Sequence, residues 1–264
     1  MSSPFPPEAP PIAASSPSPA GPRSVPAGNG ASWWGEAWRL FTPAVAMWLL
    51  ILVIMIVLSI VLSLIPVIGH LASNLLYPVL TGGLMLGCRA IDRGQPLTIN
   101  HLFAGFSERA GPLFMLGLIY LGLAIAIVAT VAGILLVTFG AAVFTQMFSI
   151  NNAISTSVLL SGAFMMVMVG TLLFLVLFLP LIMAIWFAPA LIMLGGREPW
   201  PAMKESFAGS VQNVVPFLVY GLIGLGLAIV ATIPLGLGWF VVAPMTIASI
   251  YASYCDIFET GNVS

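Results

Sequence analysis

The positions of the charged residues constrain the fold of this chain more than any other feature of its sequence. All seven Lys and Arg residues and all eight Asp and Glu residues fall in the N-terminal segment, in 89–110, in 197–205 or at the C-terminal end. The connections around 65–71, 139–156 and 232–238 carry no charge. Since Lys and Arg accumulate in the cytoplasmic loops of membrane proteins, this alternation predicts six spans with both termini in the cytoplasm.

Six apolar segments separate these connections, and their lengths are close to or above the roughly 17–25 residues of a helix that crosses a bilayer. They cover residues 43–64, 71–88, 112–138, 157–194, 214–233 and 239–254. The chain is 60% hydrophobic and only 6% charged, whereas soluble domains carry about 25% charged residues. We therefore predict an all-α polytopic membrane protein with six transmembrane helices.

The segment 157–194 could cross the membrane once or twice, because it is nearly twice as long as one span requires. A break at Pro180 would give two short spans and would place Arg197 and Lys204 outside. The positive-inside rule disfavours that arrangement. We predict one long, tilted helix that kinks at Pro180 and Pro189, with its N-terminal part beyond or along the outer surface.

The chain divides into a tail, a membrane domain and a short C-terminal tail. Residues 1–31 are rich in Pro, Ser, Ala and Gly, a composition that buries too little apolar surface to offset the entropy lost on ordering. We expect a disordered cytoplasmic tail there, the membrane domain at 32–259 and the C-terminal tail at 260–264.

An internal repeat lies within the apolar background. Residues 103–126 recur at a constant offset of 104 positions, as from Phe103 to Phe207, and a weaker match at an offset of 69 relates Trp34 to Phe103. The units lie at about 32–95, 96–198 and 199–259. Because each unit contains two spans, successive units keep one orientation. We predict three parallel-repeat hairpins around a pseudo-threefold axis normal to the membrane.

Each unit begins with a short amphipathic segment. Apolar residues recur there at helical spacing and form one stripe, which is typical of a helix in the cytoplasmic interface. These helices could simply anchor the bundle, with aromatic rings at headgroup depth. They could also dock a membrane or cytoplasmic protein partner, or lipid headgroups. The candidate docking residues are Trp34, Trp38, Phe103, Phe106 and Phe207.

The sequence contains no catalytic constellation. There is no Gly-rich phosphate loop, HExxH or GxSxG motif, and His70 and His101 fall on opposite membrane faces in this topology. We therefore predict no enzymatic activity, no cofactor and no metal site. The net charge of −1 leaves no basic surplus for nucleic acid.

Glycines and span-end charges supply two further hypotheses. Gly82, Gly83 and Gly122 could permit close helix packing or line a cavity between the hairpins. Arg89 and Asp256 each follow a cysteine at the end of a span. This placement suggests an ion pair between the first and the last hairpin.

The chain also contains EAWRLF at 36–41, FAPAL at 187–191, FLVYG at 217–221 and YASYCDIF at 251–258. In this order they resemble an uncharacterised proteobacterial family of six-span inner-membrane proteins of unknown function. The resemblance covers roughly 33–259. It implies a bacterial inner-membrane location and supplies no catalytic residue.

Two functions are compatible with these features. The first is a scaffold or regulator of an envelope process that acts through its interfacial helices. The alternative is a facilitator or binding protein for a lipid or another apolar or neutral solute. No Asp, Glu, Lys or Arg lies within a span, and this argues against a proton-coupled pump.

Overall fold

The computed structural model describes residues 21–147 and 156–259, which form helices and turns without a strand. A 3-10 turn at Thr42–Ala44 links the first two helices. The helices are α1 (Asn29–Phe41), α2 (Val45–Ser63), α3 (Ile68–Asp92), α4 (Ile99–Glu108), α5 (Ala110–Met147), α6 (Thr156–Trp186), α7 (Ala188–Met193), α8 (Pro199–Gln212), α9 (Val214–Thr232) and α10 (Trp239–Phe258).

Six helical segments of the described chain are long and apolar enough to cross a membrane. The first combines α1 with α2, the fourth combines α6 with α7, and the other four are α3, α5, α9 and α10. The predicted all-α fold with six spans is therefore confirmed. The third span is longer than predicted: its helix, α5, continues to Met147 instead of ending near Thr138.

The long apolar segment forms one candidate span, as predicted, and it breaks next to the predicted kink at Pro189 but not at Pro180. Helix α6 remains helical through Pro180 and ends at Trp186, and α7 begins before Pro189. The Phe187 N–H donates to the Ser206 hydroxyl at 3.0 Å. That hydroxyl in turn donates to the carbonyl of Met183 at 2.8 Å. The side chain from α8 thus replaces a helical hydrogen bond, which is a recognised cause of helix breaks.

The core lies at one end of the bundle and around two central helices. Over half of the apolar stretch of α3 (56%) and of α10 (61%) is buried, against 6–17% in the other four spans. Helices α1, α4 and α8 add buried side chains at the end where α3, α7 and α10 finish. We call this the charged end, because every charged residue of the described chain belongs to these helices or their flanking turns. The opposite end is the uncharged end.

The helices pack in a cyclic order. Helix α4 packs on α3 and α8 packs on α6, in each case the second span of the preceding unit. Helix α1 packs on α10, the second span of the last unit. A pseudo-threefold arrangement requires this order. The internal repeat remains a prediction, which the cyclic contacts support.

Residues 21–31 differ from the disordered tail that their composition predicts. The Arg23 N–H donates to the Ile257 carbonyl at 3.0 Å, and the Val25 N–H donates to Asn213 Oδ1 at 2.8 Å. Helix α1 already begins at Asn29. Partners distant in the sequence order this stretch, and local composition does not reveal them. The rest of the predicted tail (1–20) and the predicted C-terminal tail (260–264) lie outside the described residues.

Candidate functional site

Asp256, near the end of α10, gathers side chains from the N-terminal segment and α1. Its Oδ2 accepts hydrogen bonds from Asn29 Nδ2 at 2.7 Å and from Trp33 Nε1 at 2.9 Å. Arg23 Nη2 lies 3.4 Å from Oδ1, and Arg23 Nε donates to the Asp256 carbonyl. The side chain of Asp256 is only 21% exposed. This carboxylate therefore ties the first unit to the last.

Asn213 supports the same segment from the junction of α8 and α9. Its side chain is fully buried. Besides accepting from Val25, it donates through Nδ2 to the carbonyls of Arg23 at 2.9 Å and Gly209 at 2.8 Å. The sequence analysis did not identify this residue. Its position in the sequence could have indicated its role. Asn213 lies between an amphipathic helix and a span, and a polar side chain that is buried there needs hydrogen-bond partners.

A second polar connection joins α1, α3 and α10. Arg39 donates to Asp92 Oδ1 and to Glu36 Oε2, both at 2.6 Å. The other oxygen of Asp92 accepts a hydrogen bond of 3.2 Å from the Tyr251 hydroxyl. Arg39 is 54% exposed, so its ion pairs stabilise the fold by less than about 1 kcal/mol each. Their main effect is to orient the outer face of α1.

Arg89 and Asp256 have different ionic partners from those that we predicted. Arg89 pairs through Nη2 with Glu259, and Asp256 pairs with Arg23. The expected connection between the first and last hairpins exists, but its acidic residue lies nearly one helical turn later. The carboxylate of Asp256 does not pair with Arg89, because it already accepts hydrogen bonds from Trp33 and Asn29.

The turn before α8 holds the two ends of the second unit together and also contacts the third unit. Arg109 donates from Nη2 to the Arg197 carbonyl at 3.0 Å and lies 3.9 Å from Glu198 Oε1. Arg197 donates from Nε to Glu205 Oε2 at 3.0 Å. Polar contacts therefore connect all three units at the charged end.

The structure separates the candidate docking residues into two groups. Trp34 is buried, because its ring stacks on Tyr220 at 4.9 Å and its Nε1 donates to the Tyr220 carbonyl at 3.1 Å. It is a packing residue, since α9 covers one edge of the apolar stripe of α1. The other candidates are exposed, together with Trp200 of α8. We call the exposed residues the outer aromatic set: Trp38, Phe103, Phe106, Trp200 and Phe207.

The three candidate glycines have different surroundings. A Cβ at Gly83 would overlap the carbonyl of His101, and one at Gly82 would lie 3.0 Å from a methyl group of Leu113. These two glycines allow α4 and α5 to approach α3 closely. Gly122 has no such neighbour within 4 Å, so a side chain there would meet open space.

Shallow apolar grooves lie on α5 and α9, near Gly122 and near Gly226, which is 104 positions later. Ala124, Ile125, Val128 and Ala129 line a groove of about 320 Å³. Ala228, Ile229, Thr232 and Ile233, together with Trp239, line one of about 430 Å³. The four residues from α5 and the four from α9 are related by the same offset of 104 positions.

The two histidines lie at opposite ends of the bundle. His70 follows the turn at the start of α3, and His101 belongs to α4 at the charged end. His101 Nδ1 accepts a hydrogen bond of 3.1 Å from the Thr98 N–H and thereby caps α4. Within 21–147 and 156–259, no three His, Cys, Asp or Glu residues are grouped as a metal site.

One curated relative connects this architecture with a cellular location. The chain is similar to a probable inner membrane protein of Burkholderia thailandensis, with 29% identity over 210 residues that cover 75% of this chain and 76% of the relative. No family model and no solved structure matches the chain. The expected resemblance to proteobacterial inner-membrane proteins is confirmed. With its six apolar helical segments, the protein is a multi-pass protein of the inner membrane.

Proposed function

We propose that this inner-membrane protein is a non-enzymatic scaffold or regulator of an envelope process, and that it acts through the outer aromatic set. One observation carries the proposal: exposed aromatic side chains lie on three helices whose opposite faces are fixed by packing. Tryptophan dominates many binding hot spots, and aromatic residues are enriched at protein interfaces. A rigid support also lowers the entropy lost on binding.

Each of the three helices is fixed in its own way. On α1, Trp33 and Trp34 are buried against α9 and α10. Gly105 brings α4 into contact with the backbone of α3 at Val79, where a Cβ would overlap the carbonyl. Ser206 connects α8 to the break between α6 and α7. The outer aromatic set is therefore presented on elements that cannot easily shift.

The charges beside these aromatics favour a protein partner over a lipid surface. Interfacial helices that bind anionic lipid are rich in Lys and Arg. Here acidic and basic residues alternate instead. They are Glu36 and Arg39 on α1, Glu108 and Arg109 at the end of α4, and Lys204 and Glu205 on α8. A mixed polar rim around exposed aromatics is typical of protein interfaces.

The proposal places the charged end and both termini in the cytoplasm. Seven Lys and Arg residues flank the spans at the charged end, and the connections at the uncharged end carry none. Reporter fusions after Gly94, Gly196 and the C-terminus should all be active only with a cytoplasmic reporter. A reporter signal from the periplasm at any of these positions would contradict this orientation.

Photo-crosslinking in living cells tests the docking surface. A photoreactive phenylalanine analogue at Trp38, Phe103 or Phe207 should form an adduct with the same partner protein from each position. The matched control is Leu222 on α9, which is an exposed apolar residue of a span and should yield lipid adducts only. If all three interfacial positions also yielded only lipid, the helices would be membrane anchors and the proposal would be wrong.

Loss of function must then be separated from loss of folding. Phe103→Ser and Phe207→Ser remove exposed side chains, so we expect normal levels of folded protein together with failure to complement a deletion strain. Trp34→Ser is the contrasting variant. It opens the core beside Tyr220 and should lower the amount of folded protein.

The grooves on α5 and α9 favour the alternative, a protein that binds a lipid or another apolar solute. Their uncharged walls and their repeat-related positions suit an acyl chain. Ala124→Phe and Ala228→Phe would fill the grooves. Under this alternative, native mass spectrometry should detect a lipid of defined mass on the wild type and lose it in these variants. An unchanged lipid complement would exclude the grooves as binding sites.

A further inference from the structure

Two tyrosine hydroxyls lie within membrane-spanning helices without a hydrogen-bond partner. Tyr77 belongs to α3 and Tyr120 to α5, and the two side chains are within range of an electrostatic interaction. Neither hydroxyl forms a hydrogen bond with any residue of the described chain. Tyr220 is the contrasting case, because its hydroxyl and that of Ser249 form a hydrogen bond of 2.8 Å. Bilayer hydrocarbon offers no such partner, so an unpaired hydroxyl there costs free energy.

The packing of α3 against α5 directs both tyrosines toward one site. These antiparallel helices meet where a Cβ at Gly117 would lie 3.1 Å from the Asn74 carbonyl. Tyr77 comes three residues after Asn74, and Tyr120 comes three residues after Gly117. Because the side chains of a helix tilt toward its N-terminus, the two rings are directed back toward this contact from opposite ends.

This contact lies inside the membrane. At a rise of 1.5 Å per residue, Asn74 is about 9 Å along the helix from the start of α3 at the uncharged end. Gly117 is about 12 Å along α5 from Arg109 at the charged end. Both tyrosines are therefore directed toward a point that is remote from water on either side.

Asn74 adds two hydrogen-bond acceptors to the site. Pro78 has no backbone N–H, so the carbonyl of Asn74 lacks its usual helical donor. The side chain of Asn74 donates from Nδ2 to the His70 carbonyl at 2.8 Å, which leaves Oδ1 without a donor among the described residues. The site thus combines two hydroxyls with two acceptor oxygens.

Polar residues directly before the interior proline occur only in α3 among the three second spans. Tyr77 and Asn74 lie one and four positions before Pro78. The same positions before the first proline of the fourth span and before the proline of α10 are apolar: Leu179 and Val176 before Pro180, and Ala243 and Phe240 before Pro244. A proline-containing span therefore requires no polar residue at these positions, which leaves both side chains available for binding.

An apolar groove continues from this site along α5. Ala124 lies one helical turn beyond Tyr120 on the same face of α5 and begins the groove of about 320 Å³. At the corresponding place on α9, Gly224 replaces Tyr120, and the ring of Trp34 lies 3.0 Å from where a Cβ would be. Of the two grooves, the α5 groove alone therefore has tyrosine hydroxyls beside it.

We infer that this site binds an uncharged lipid with a free hydroxyl group, which bonds to Tyr77, Tyr120 and Asn74 while an acyl chain lies in the α5 groove. A hydroxyl headgroup can donate to Asn74 Oδ1 and accept from a tyrosine, whereas an acyl chain alone can do neither. A phosphate headgroup does not suit the site, because α5 has no Lys or Arg and α3 has none before Arg89. The inference is independent of the proposed scaffold function. It rests on the alternative lipid-binding function and names the lipid class for the α5 groove.

A matched pair of lipids tests the inference. The probe is dioleoylglycerol, and the control is the same molecule with its free hydroxyl capped as a methyl ether. In native mass spectrometry, the wild type should bind dioleoylglycerol about tenfold more tightly than the ether, because capping removes the hydroxyl donor. Equal affinities would overturn the inference, even if both lipids occupied the groove.

Variants then locate the bound lipid. Tyr77→Phe and Tyr120→Phe each remove one unpaired hydroxyl and keep the ring, so both should retain the wild-type thermal midpoint in detergent. Each should lower the affinity for dioleoylglycerol about tenfold. Ala124→Phe fills the α5 groove and should abolish binding, whereas Ala228→Phe in the α9 groove is the control and should leave it unchanged.

The same variants separate a failure of this inference from a failure of the alternative function. If Ala124→Phe abolished binding of both lipids and the tyrosine variants had no effect, the groove would bind lipid without hydroxyl recognition. The inference would then be wrong and the alternative function would stand. If none of the variants changed the binding of either lipid, both would be wrong.

Discussion

Trp33 in the first helix donates a hydrogen bond of 2.9 Å to the carboxylate of Asp256, 223 positions later in the last helix. This contact lies where the two ends of the described chain meet, and Asn29 and Arg23 reinforce it. It joins the first predicted unit to the third, and Arg197 of the second unit donates a hydrogen bond to Glu205 of the third. Together with the packing of α4 on α3 and of α8 on α6, these contacts close the predicted units into a ring at the charged end.

The first prediction concerns Asp256 itself. Asp256→Ala would leave the N–H donors of Trp33 and Asn29 without an acceptor in a half-buried site. We expect it to lower the free energy of unfolding by about 2 kcal/mol, or the thermal midpoint in detergent by roughly 5 °C. Glu108→Ala is the control, because Glu108 is exposed and forms no ion pair within the described chain. An equal effect of both substitutions would contradict this role of Asp256.

Asn213 should control the order of residues 21–28. Asn213→Ala removes the acceptor of the Val25 N–H and the donor to the Arg23 carbonyl. Because each unsatisfied buried group costs about 1–3 kcal/mol, the segment should detach far more often. We expect tryptic cleavage after Arg23 to accelerate about tenfold or more. Cleavage after Arg93, in the exposed turn between α3 and α4, should keep its wild-type rate and serves as the internal reference.

The number and position of the spans could be predicted from the sequence, because the bilayer acts on each segment separately. A run of apolar residues or a charged connection has the same meaning wherever the remaining chain lies. Which residues of an interfacial helix are covered by other helices could not be predicted in this way. Trp34 and Trp38 share one helical stripe, yet only Trp34 is covered, because α9 reaches that edge and no further.

Partner choice among polar groups could not be predicted for the same reason. Arg89 had two acidic candidates near the end of α10, and the one that it pairs with is decided by Trp33 and Asn29, which occupy Asp256. The ordering of residues 21–31 and the helix break at Phe187 depend likewise on single side chains from distant helices, Asn213 and Ser206. Pro189 marks the position of the break, but local composition does not reveal the contacts that Asn213 and Ser206 make.

Two glycines give a matched test of packing against open surface. A methyl group at Gly83 would overlap the His101 carbonyl and lie 2.9 Å from that of Leu102, whereas one at Gly122 would touch nothing. Gly83→Ala should therefore destabilise the protein by about 1–3 kcal/mol through overpacking. Gly122→Ala should change stability by less than about 0.5 kcal/mol. Thermal unfolding in detergent measures both, and a Gly83→Ala variant as stable as the wild type would refute the packing role.

A double-mutant cycle can distinguish the two acidic candidates for Arg89. Glu259 is 41% exposed, so solvent screens the pair and its coupling energy with Arg89 should be only about 0.5–1 kcal/mol. The coupling between Arg89 and Asp256 should be close to zero, because Asp256 is engaged with Arg23. Unfolding free energies of the alanine single and double variants give both values. A larger coupling energy between Arg89 and Asp256 than between Arg89 and Glu259 would support the ion pair predicted from the sequence instead.

The closed ring leads to a prediction about chain connectivity. The backbone N–H of Arg23 lies 3.0 Å from the carbonyl of Ile257, so a short Gly/Ser linker can join residue 259 to residue 21. New termini can then open in the exposed turn between α3 and α4, after Gly94. Both the linker and the new termini lie at the charged end. Every span therefore keeps its direction through the membrane.

We expect the chain permuted at Gly94 to insert and fold, because its units keep their cyclic contacts and all charged segments stay on one side. A chain permuted at Gly236, in the turn between α9 and α10, keeps the same contacts in principle. Its first span would have to begin at the uncharged end, and the joined charged segment would follow that span. We expect that chain to insert poorly. Size-exclusion profiles and tryptic cleavage patterns in detergent compare both permuted chains with the wild type. If the chain permuted at Gly94 failed to fold while the chain permuted at Gly236 folded, the units would not be interchangeable members of a ring.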